Sequence, residues 1–205
     1  MTNPKSPAEP RHLHEQILST AKSLFIQQGY HGLAMRQISE SLGVSKAALY
    51  YHFKDKEKLF LAILEAYLDE MEKAIDRILT EPVTCTEQIQ HFVEYVLAQP
   101  TEQRAIIRLA SQEMGQLSAP ARKAFDKIYR EKFIGKVEAI LKTGMDRGEF
   151  REVEPAVATW TLLGMMYPYF YPAHAGNVGL SDETIQQILI VYLEGISIHQ
   201  NTSSL

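Results

Sequence analysis

The sequence predicts an all-α protein of about nine helices, with a small N-terminal helix-turn-helix domain before a larger helical domain. Three observations support this fold class. Apolar residues recur at steps of three and four along most of the chain, and no segment alternates convincingly as a strand would. Gly43 separates two short helical segments. A chain of 205 residues is long enough for one small and one larger helical unit.

The first three helices form the smaller domain. Residues 1–9 are rich in proline and are expected to be a flexible arm without the apolar segment of a signal peptide. The first helix is predicted from about Pro10 to Gln28, and Gly29 suits the position just beyond its end. The second and third helices are predicted over 35–42 and 46–53. The first helix presents one apolar stripe, made of Leu13, Ile17, Ala21 and Leu24.

Six further helices are predicted from their start signals and apolar stripes. Most of these signals are residues whose side chains cap a helix, or prolines at its first turn. Thr84 followed by Glu87 has the spacing of a capping box. The helices begin after Asp55, Thr84, Pro100, Ser118, Glu154 and Ser181, and the one after Ser118 is expected to continue to Gly144.

Charge is distributed unevenly along the chain. The formal net charge is −4, but residues 1–60 carry eight Lys or Arg and five Asp or Glu. A basic N-terminal quarter on an acidic remainder favours a local contact with a polyanion.

The single cysteine, Cys85, excludes an internal disulfide and fits a cytoplasmic protein. The uncharged stretch 155–181 is interrupted by proline, so we expect a buried helix there and no membrane span.

The third helix has two chemically different sides. Ser45 is predicted to cap it, and Gly43 permits the sharp bend that precedes it. The side predicted to face the core carries Ala48, Leu49, His52 and Phe53. The outward side carries Lys46, Ala47, Tyr50 and Tyr51. A cation, a small residue and two phenols suit the major groove of DNA, and Lys54 and Lys56 can bind phosphate at the start of the next helix.

An ordinary helical corner with surface charge would also have this backbone pattern. The residue pattern favours DNA binding. Segment 17–64 resembles the DNA-binding domain of the TetR family of bacterial transcriptional regulators, above all in its last part, ISESLGVSKAALYYHFKDKEKLFLAIL. The matching residues are Phe25, Gly29, Tyr30, Ile38, Gly43, Val44, Ser45, Leu49, Tyr50, His52, Phe53, Lys56, Glu57 and Leu59.

This resemblance implies specific DNA contacts. Phosphate contacts are implied for Tyr51, His52 and Lys56. Groove contacts are implied for Arg36, Gln37, Lys46, Ala47 and Tyr50. Ser45 and Lys54 complete the predicted DNA-binding set. The chain departs from the family at Leu33 and Ala34, where Thr or Ser is usual, and Ala34 cannot cap the second helix through its side chain. The domain boundaries that follow are 10–56 for DNA binding, including the start of the fourth helix, and 57–205 for ligand binding and dimerisation.

The larger domain offers no catalytic or metal-binding pattern at recognisable spacing, so we expect neither an enzyme nor a cofactor. Its large apolar side chains are either core or, as the resemblance implies, the lining of an effector pocket, with Glu113, Tyr129 or Trp160 as polar groups. The pocket candidates are Met71, Phe92, Ile107, Met114, Tyr129, Phe133, Trp160 and Met165.

The last two helices are the candidates for a dimer interface. Their apolar stripes could pair in a two-fold four-helix bundle. The interface candidates are Leu163, Tyr167, Ile188, Tyr192 and Ile196. A dimer also makes physical sense, because two reading heads held about 34 Å apart can bind both halves of a palindromic operator.

The leading hypothesis is therefore a cytoplasmic homodimeric repressor. It would bind a palindromic operator and be released by a small apolar or amphipathic effector. A second hypothesis keeps the DNA binding but replaces the effector by a protein partner that the larger domain recruits. A helical enzyme is the third, and it lacks a visible acid, base or nucleophile constellation.

Overall fold

The computed structural model describes residues 10–171 and 180–197, and its fold is all-α as predicted. The described residues form no strand, and the only backbone pairing of the β type among them joins Phe150 to Ser197. The helices are α1 (Pro10–Gly32), α2 (Met35–Leu42), α3 (Lys46–His52), α4 (Lys56–Leu79), α5 (Cys85–Leu97), α6 (Thr101–Glu113), α7 (Ala119–Tyr129), α8 (Gly135–Asp146), α9 (Pro155–Met166) and α10 (Asp182–Ile196).

The predicted capping residues begin their helices as expected. The Ser45 hydroxyl accepts from the Ala48 backbone N–H at 3.1 Å, and the Asp55 carboxylate accepts from the Lys58 N–H at 2.8 Å. At the start of α5 the capping box is complete, since Thr84 and Glu87 each accept from the other's backbone N–H. These short-range bonds satisfy donors that a helix start otherwise leaves unpaired.

The helix predicted from Ser118 to Gly144 is interrupted. A π-helical turn over Arg130–Ile134 separates α7 from α8. Lysines in and just after this turn pair with α4, Lys132 with Asp69 and Lys136 with Asp76. The α8 helix then continues through Gly144, where a glycine is needed because a Cβ atom would lie 2.3 Å from the Phe150 ring.

The chain divides into two compact units. The first contains the described residues up to Tyr67 together with Leu109–Phe125, and the second contains Leu68–Arg108 and the described residues from Asp126 onward. This division differs from the boundary predicted after residue 56. The first turns of α4 belong with α1, because the Phe60 ring packs on Phe25, with 5.1 Å between the ring centroids. The predicted arm, 1–9, lies outside the described residues.

Each unit has its own apolar core. In the first unit Ile17, Phe25, Ile38 and Leu49 are fully buried. In the second unit the buried side chains include Phe92, Val137, Leu162 and Leu189. Among the described helices none has the length and apolar content to cross a membrane.

Candidate nucleic-acid interface

The turn between α2 and α3 is built by three consecutive residues. Gly43 follows α2 with φ 65° and ψ 28°, a left-handed conformation that glycine adopts without strain. Its N–H donates to the Glu40 carbonyl at 3.1 Å, and the N–H of Val44 donates to the Ser39 carbonyl at 3.0 Å. Ser45 then caps α3. The two short helices are thus fixed as a helix-turn-helix.

The inward side of α3 packs as the helical periodicity predicts. Leu49 is fully buried and Phe53 is 5% exposed. His52 is half-buried at the edge of this core, where its ring lies 5.8 Å from that of His14 on α1. His52 therefore lies on the boundary between the core and the outward side.

The outward side of α3 is exposed among the residues that the structure describes. Lys46 and Ala47 are exposed, and the side chains of Tyr50 and Tyr51 are 49% and 84% exposed. Aromatic side chains are enriched at binding surfaces, and two of them are exposed here beside a lysine. Of the four aromatic rings from 50 to 53, the two tyrosines are the most exposed, His52 lies at the rim and Phe53 is buried.

A cleft of about 540 Å³ opens beside this face at the start of α2. Its charged lining is mainly cationic, and its one carboxylate, Asp55, caps α4. The first N–H groups of α2 also lie at this edge, and a helix start favours an anion. The lining residues are His31, Leu33, Ala34, Met35, Arg36, Lys46, Tyr50, Asp55 and Lys56.

The start of α2 is held without a hydroxyl at position 34. Ala34 makes no side-chain bond, but its backbone N–H donates to Gln37 Oε1 at 2.7 Å, which is half of a capping box. Gln37 Nε2 in turn donates to Gln28 Oε1 at 3.3 Å. Gln37, predicted as a groove contact, therefore binds within the protein and holds α2 in place.

Lys56 has an internal role that the sequence does not reveal. Its ammonium donates to the carbonyl of Tyr30 at 2.6 Å and to that of Leu33 at 3.1 Å, and it lies 4.4 Å above the centre of the Tyr30 ring. Burial lowers the pKa of Lys56, and the negative charge of Glu113 acts in the opposite direction. An ammonium has three donors, so the two bonds to carbonyls do not use all of them.

The other residues predicted to contact DNA differ in whether their side chains already bond within the protein. Lys54 is exposed, whereas the Ser45 hydroxyl is occupied by the cap of α3. Arg36 is exposed and pairs with Glu40 one turn later at 3.4 Å. An exposed pair of this kind is weak and can open when DNA arrives.

The candidate pocket residues do not form one group. Phe92, Phe133 and Tyr129 share a ring cluster, with centroids 5.8 Å apart for Phe92 and Phe133 and 5.4 Å apart for Tyr129 and Phe133. Trp160 is 51% exposed and lies outside this cluster. In the second unit, Met71 is buried and Ile107 and Met165 are half-buried. Met114 is half-buried in the first unit.

The dimer candidates on α10 point into the protomer. Ile188, Tyr192 and Ile196 are buried, and the Tyr192 hydroxyl donates to the Ala158 carbonyl at 3.1 Å. Leu163 and Tyr167 are half-buried. The apolar side chains that α9 and α10 leave exposed are instead Val157, Trp160, Ile190 and Val191, and we refer to these four as the outer apolar face.

The histidines and acids form no metal site in the part of the chain that the structure describes. On α1, His14 packs against His52 and Phe53. His12 makes a hydrogen bond with Gln16 on the same helix. What the fold does assemble is a helix-turn-helix with an exposed Lys and Tyr face and an adjacent cationic cleft. This combination is typical of a DNA-binding protein.

Sequence comparison names the family. The profile of the bacterial regulatory proteins of the tetR family matches residues 17–63, and a tetracycline repressor-like C-terminal domain matches residues 82–168. The chain belongs to the TetR family of transcriptional regulators. This membership confirms the predicted family and the prediction of a regulator rather than an enzyme.

Individual relatives agree with this assignment. The chain is 34% identical over 116 residues to the regulator UidR of Escherichia coli strain K12, covering 57% of this chain and 51% of UidR. It is 31% identical over 171 residues to the regulator HbdR of Aromatoleum sp. strain CIB, covering 82% of this chain and 65% of HbdR. The chain thus spans about half of UidR and less than two thirds of HbdR.

The fold also matches a solved relative. The structure of the TetR-family regulator PfmR from Thermus thermophilus superposes with a TM-score of 0.73 at 28% identity. The superposition covers 87% of this chain and 97% of PfmR.

Proposed function

We propose that this chain is a dimeric repressor that binds a palindromic operator through α3 of each protomer and is released by a small apolar or amphipathic effector. The observation that carries the proposal is the exposed Lys and Tyr face of α3 beside a cationic cleft. Both features match the chemistry of a DNA groove and its phosphates.

The DNA contacts divide by chemistry. Lys46, Ala47 and Tyr50 can reach base edges, since a lysine donates to guanine and a small side chain meets the thymine methyl. Phosphates are assigned to Tyr51, His52 and the cleft, in which the ammonium of Lys56 and the guanidinium of Arg36 would lie. Gln37 is not assigned a base contact, because its amide already bonds Ala34 and Gln28.

Dimerisation is assigned to the outer apolar face. Val157 and Trp160 lie one turn apart on α9, and Ile190 and Val191 are exposed on α10, which packs against α9 through the Tyr192 to Ala158 bond. Gly164 and Gly195 have open space around them, so a second helix can approach closely there. Isologous pairing of this face would bury it and place two α3 helices in one molecule.

The effector site is assigned to the neighbourhood of the Phe92, Phe133 and Tyr129 ring cluster. Burial raises the pKa of Tyr129 to about 12, so its hydroxyl lies in a poorly solvated environment. The π-helical turn Arg130–Ile134 begins directly after it, and such turns often occur at functional sites. An effector releases DNA only if it binds the free conformation more tightly than the DNA-bound one.

An electrophoretic mobility shift with the DNA upstream of the protein's own gene tests the proposal. The expected result is a specific complex at moderate salt, followed by a footprint with two symmetric half-sites about 10 base pairs apart. A metabolite that raises the melting temperature should also dissociate the complex. A folded protein that forms no specific complex under these conditions would contradict the proposal.

A further inference from the structure

We infer that Glu113, at the end of α6 and outside the helix-turn-helix, is a positioning residue for DNA binding, because it fixes the backbone of Tyr30 and thereby the ammonium of Lys56 in the cleft. The inference rests on the proposed function, since it assumes that the cleft receives a DNA phosphate. Glu113 itself is not among the residues that line the cleft.

The first link joins Glu113 to the end of α1. Its Oε1 atom accepts from the backbone N–H of Tyr30 at 3.1 Å. The preceding residue, Gly29, has the non-helical dihedral angles φ 72° and ψ 174°, so the regular geometry of α1 is interrupted at this point. A Cβ atom at Gly29 would lie 3.0 Å from Glu113 Oε1, so glycine is also what lets the carboxylate come this close.

The second link joins Tyr30 to the cleft. The carbonyl of the same residue accepts from the Lys56 ammonium at 2.6 Å, and the Tyr30 ring lies under that ammonium. Tyr30 is therefore held by its N–H on one side and by its C=O on the other. Lys56 is the only member of this chain of contacts that also lines the cleft, beside Arg36 and Lys46.

Three more bonds hold the corner that presents Glu113, which we define as Glu113–Ser118. Glu57, next to Lys56, accepts from the Ser118 N–H at 2.7 Å and from its hydroxyl at 2.9 Å. Gln116 bonds the ring of His31 at 2.7 Å, and His31 lines the cleft. The corner is thus bonded to residues beside Tyr30 and beside Lys56, which restricts the positions both can adopt.

Because Glu113 is negatively charged, a positioning role and a purely electrostatic role predict opposite effects of its removal on DNA affinity. A carboxylate near a phosphate-binding cleft repels DNA, so removing it should strengthen binding if charge alone matters. A positioning role predicts the opposite for any variant that loses the bond to Tyr30. Glu113→Gln keeps an acceptor oxygen without the charge, whereas Glu113→Asp keeps the charge but shortens the reach.

Fluorescence anisotropy on an operator duplex taken from the footprint tests the inference. We expect Glu113→Ala and Glu113→Asp to weaken binding about fivefold, the loss of one net hydrogen bond, and Glu113→Gln to bind at least as tightly as the parent. Adding Glu113→Ala to Lys56→Met should cause no further loss, because both remove the same contact. The control Glu102→Ala removes an equal charge from the same helix and should leave affinity within about twofold.

The salt dependence of binding gives a readout that a general loss of stability would not change. Losing one phosphate contact per protomer should reduce the slope of log K against log salt by about one for each protomer. If Glu113→Ala or Glu113→Asp binds as tightly as the parent, or with an unchanged salt slope, the inference is overturned. If Lys46→Ala and Tyr50→Ala also leave binding unchanged, the proposed function fails instead.

Discussion

At the scale of single residues, the environment of each ring at the end of α3 determines its use. Tyr50 and Tyr51 are exposed, His52 packs on His14 at the rim, and Phe53 is buried. A helix turns by about 100° per residue, so four consecutive rings cannot share one side. The outward side therefore carries the two tyrosines, and His52 lies at its rim.

Leu49→Ala should lower the free energy of unfolding by about 2 to 5 kcal/mol, because it opens a cavity in the core of the first unit. Leu49 is fully buried in that core. Urea denaturation followed by circular dichroism measures the change. Tyr51→Ala on the exposed side is the matched control and should leave stability nearly unchanged. An unaltered urea midpoint for Leu49→Ala would show that the inward side of α3 has been assigned wrongly.

At the scale of elements, α2 shows how a missing cap is replaced. Ala34 has the extended backbone of an N-cap, with φ −106° and ψ 147°, but only the Gln37 side of the capping box is formed. A hydroxyl there could accept from the Gln37 N–H without a change of backbone. The Gln37 N–H donates instead to the Ala34 carbonyl at 3.0 Å, so a backbone bond replaces the side-chain cap at this residue and the helix position is intact.

Ala34→Ser should raise the free energy of unfolding by about 1 kcal/mol, since it completes the capping box of α2. Differential scanning calorimetry or urea denaturation measures this gain. Ala139→Ser, at an exposed interior position of α8, adds the same hydroxyl where no cap is available and should give no stabilisation. Equal effects for the two substitutions would contradict the capping explanation.

The elements that the sequence predicted best are those set by local bonds. The starts of α3, α4, α5 and α10 follow from Ser45, Asp55, Thr84 and Ser181, whose partners are three residues away. The bond between Glu113 and Tyr30 joins residues 83 positions apart, so no local pattern contains it. The sequence does not predict the π-helical turn either, because the apolar residues on both sides of it keep helical spacing.

At the scale of the whole molecule, the proposed dimer depends on which side of α9 and α10 a second chain would cover. Apolar periodicity on α10 could not decide this, because Ile188 and Tyr192 pack inside the protomer while Ile190 and Val191 face outward. An outward apolar surface on two adjacent helices is costly in water and is typical of an interface. We therefore place the proposed dimer interface on the outer apolar face.

Val191→Glu should produce a folded monomer, because two charges would be buried against each other across a two-fold interface. Val191 is 66% exposed in the protomer, so the substitution leaves its core intact. Size-exclusion chromatography with light scattering measures the mass. Val153→Glu, at an exposed position in the loop before α9, is the control and should remain a dimer. A dimeric Val191→Glu variant would place the interface elsewhere.

Whether the outer side of α3 reads DNA is tested most directly by anisotropy titrations of an operator duplex and a scrambled duplex. Tyr50→Ala and Lys46→Ala should each weaken operator binding by at least about tenfold, the loss of one good base contact, and should reduce the preference over the scrambled duplex. Lys73→Ala, an exposed lysine on α4, should do neither. DNA recognition through α3 would be contradicted if Tyr50→Ala and Lys46→Ala kept their fold and mass and bound the operator with unchanged affinity and specificity.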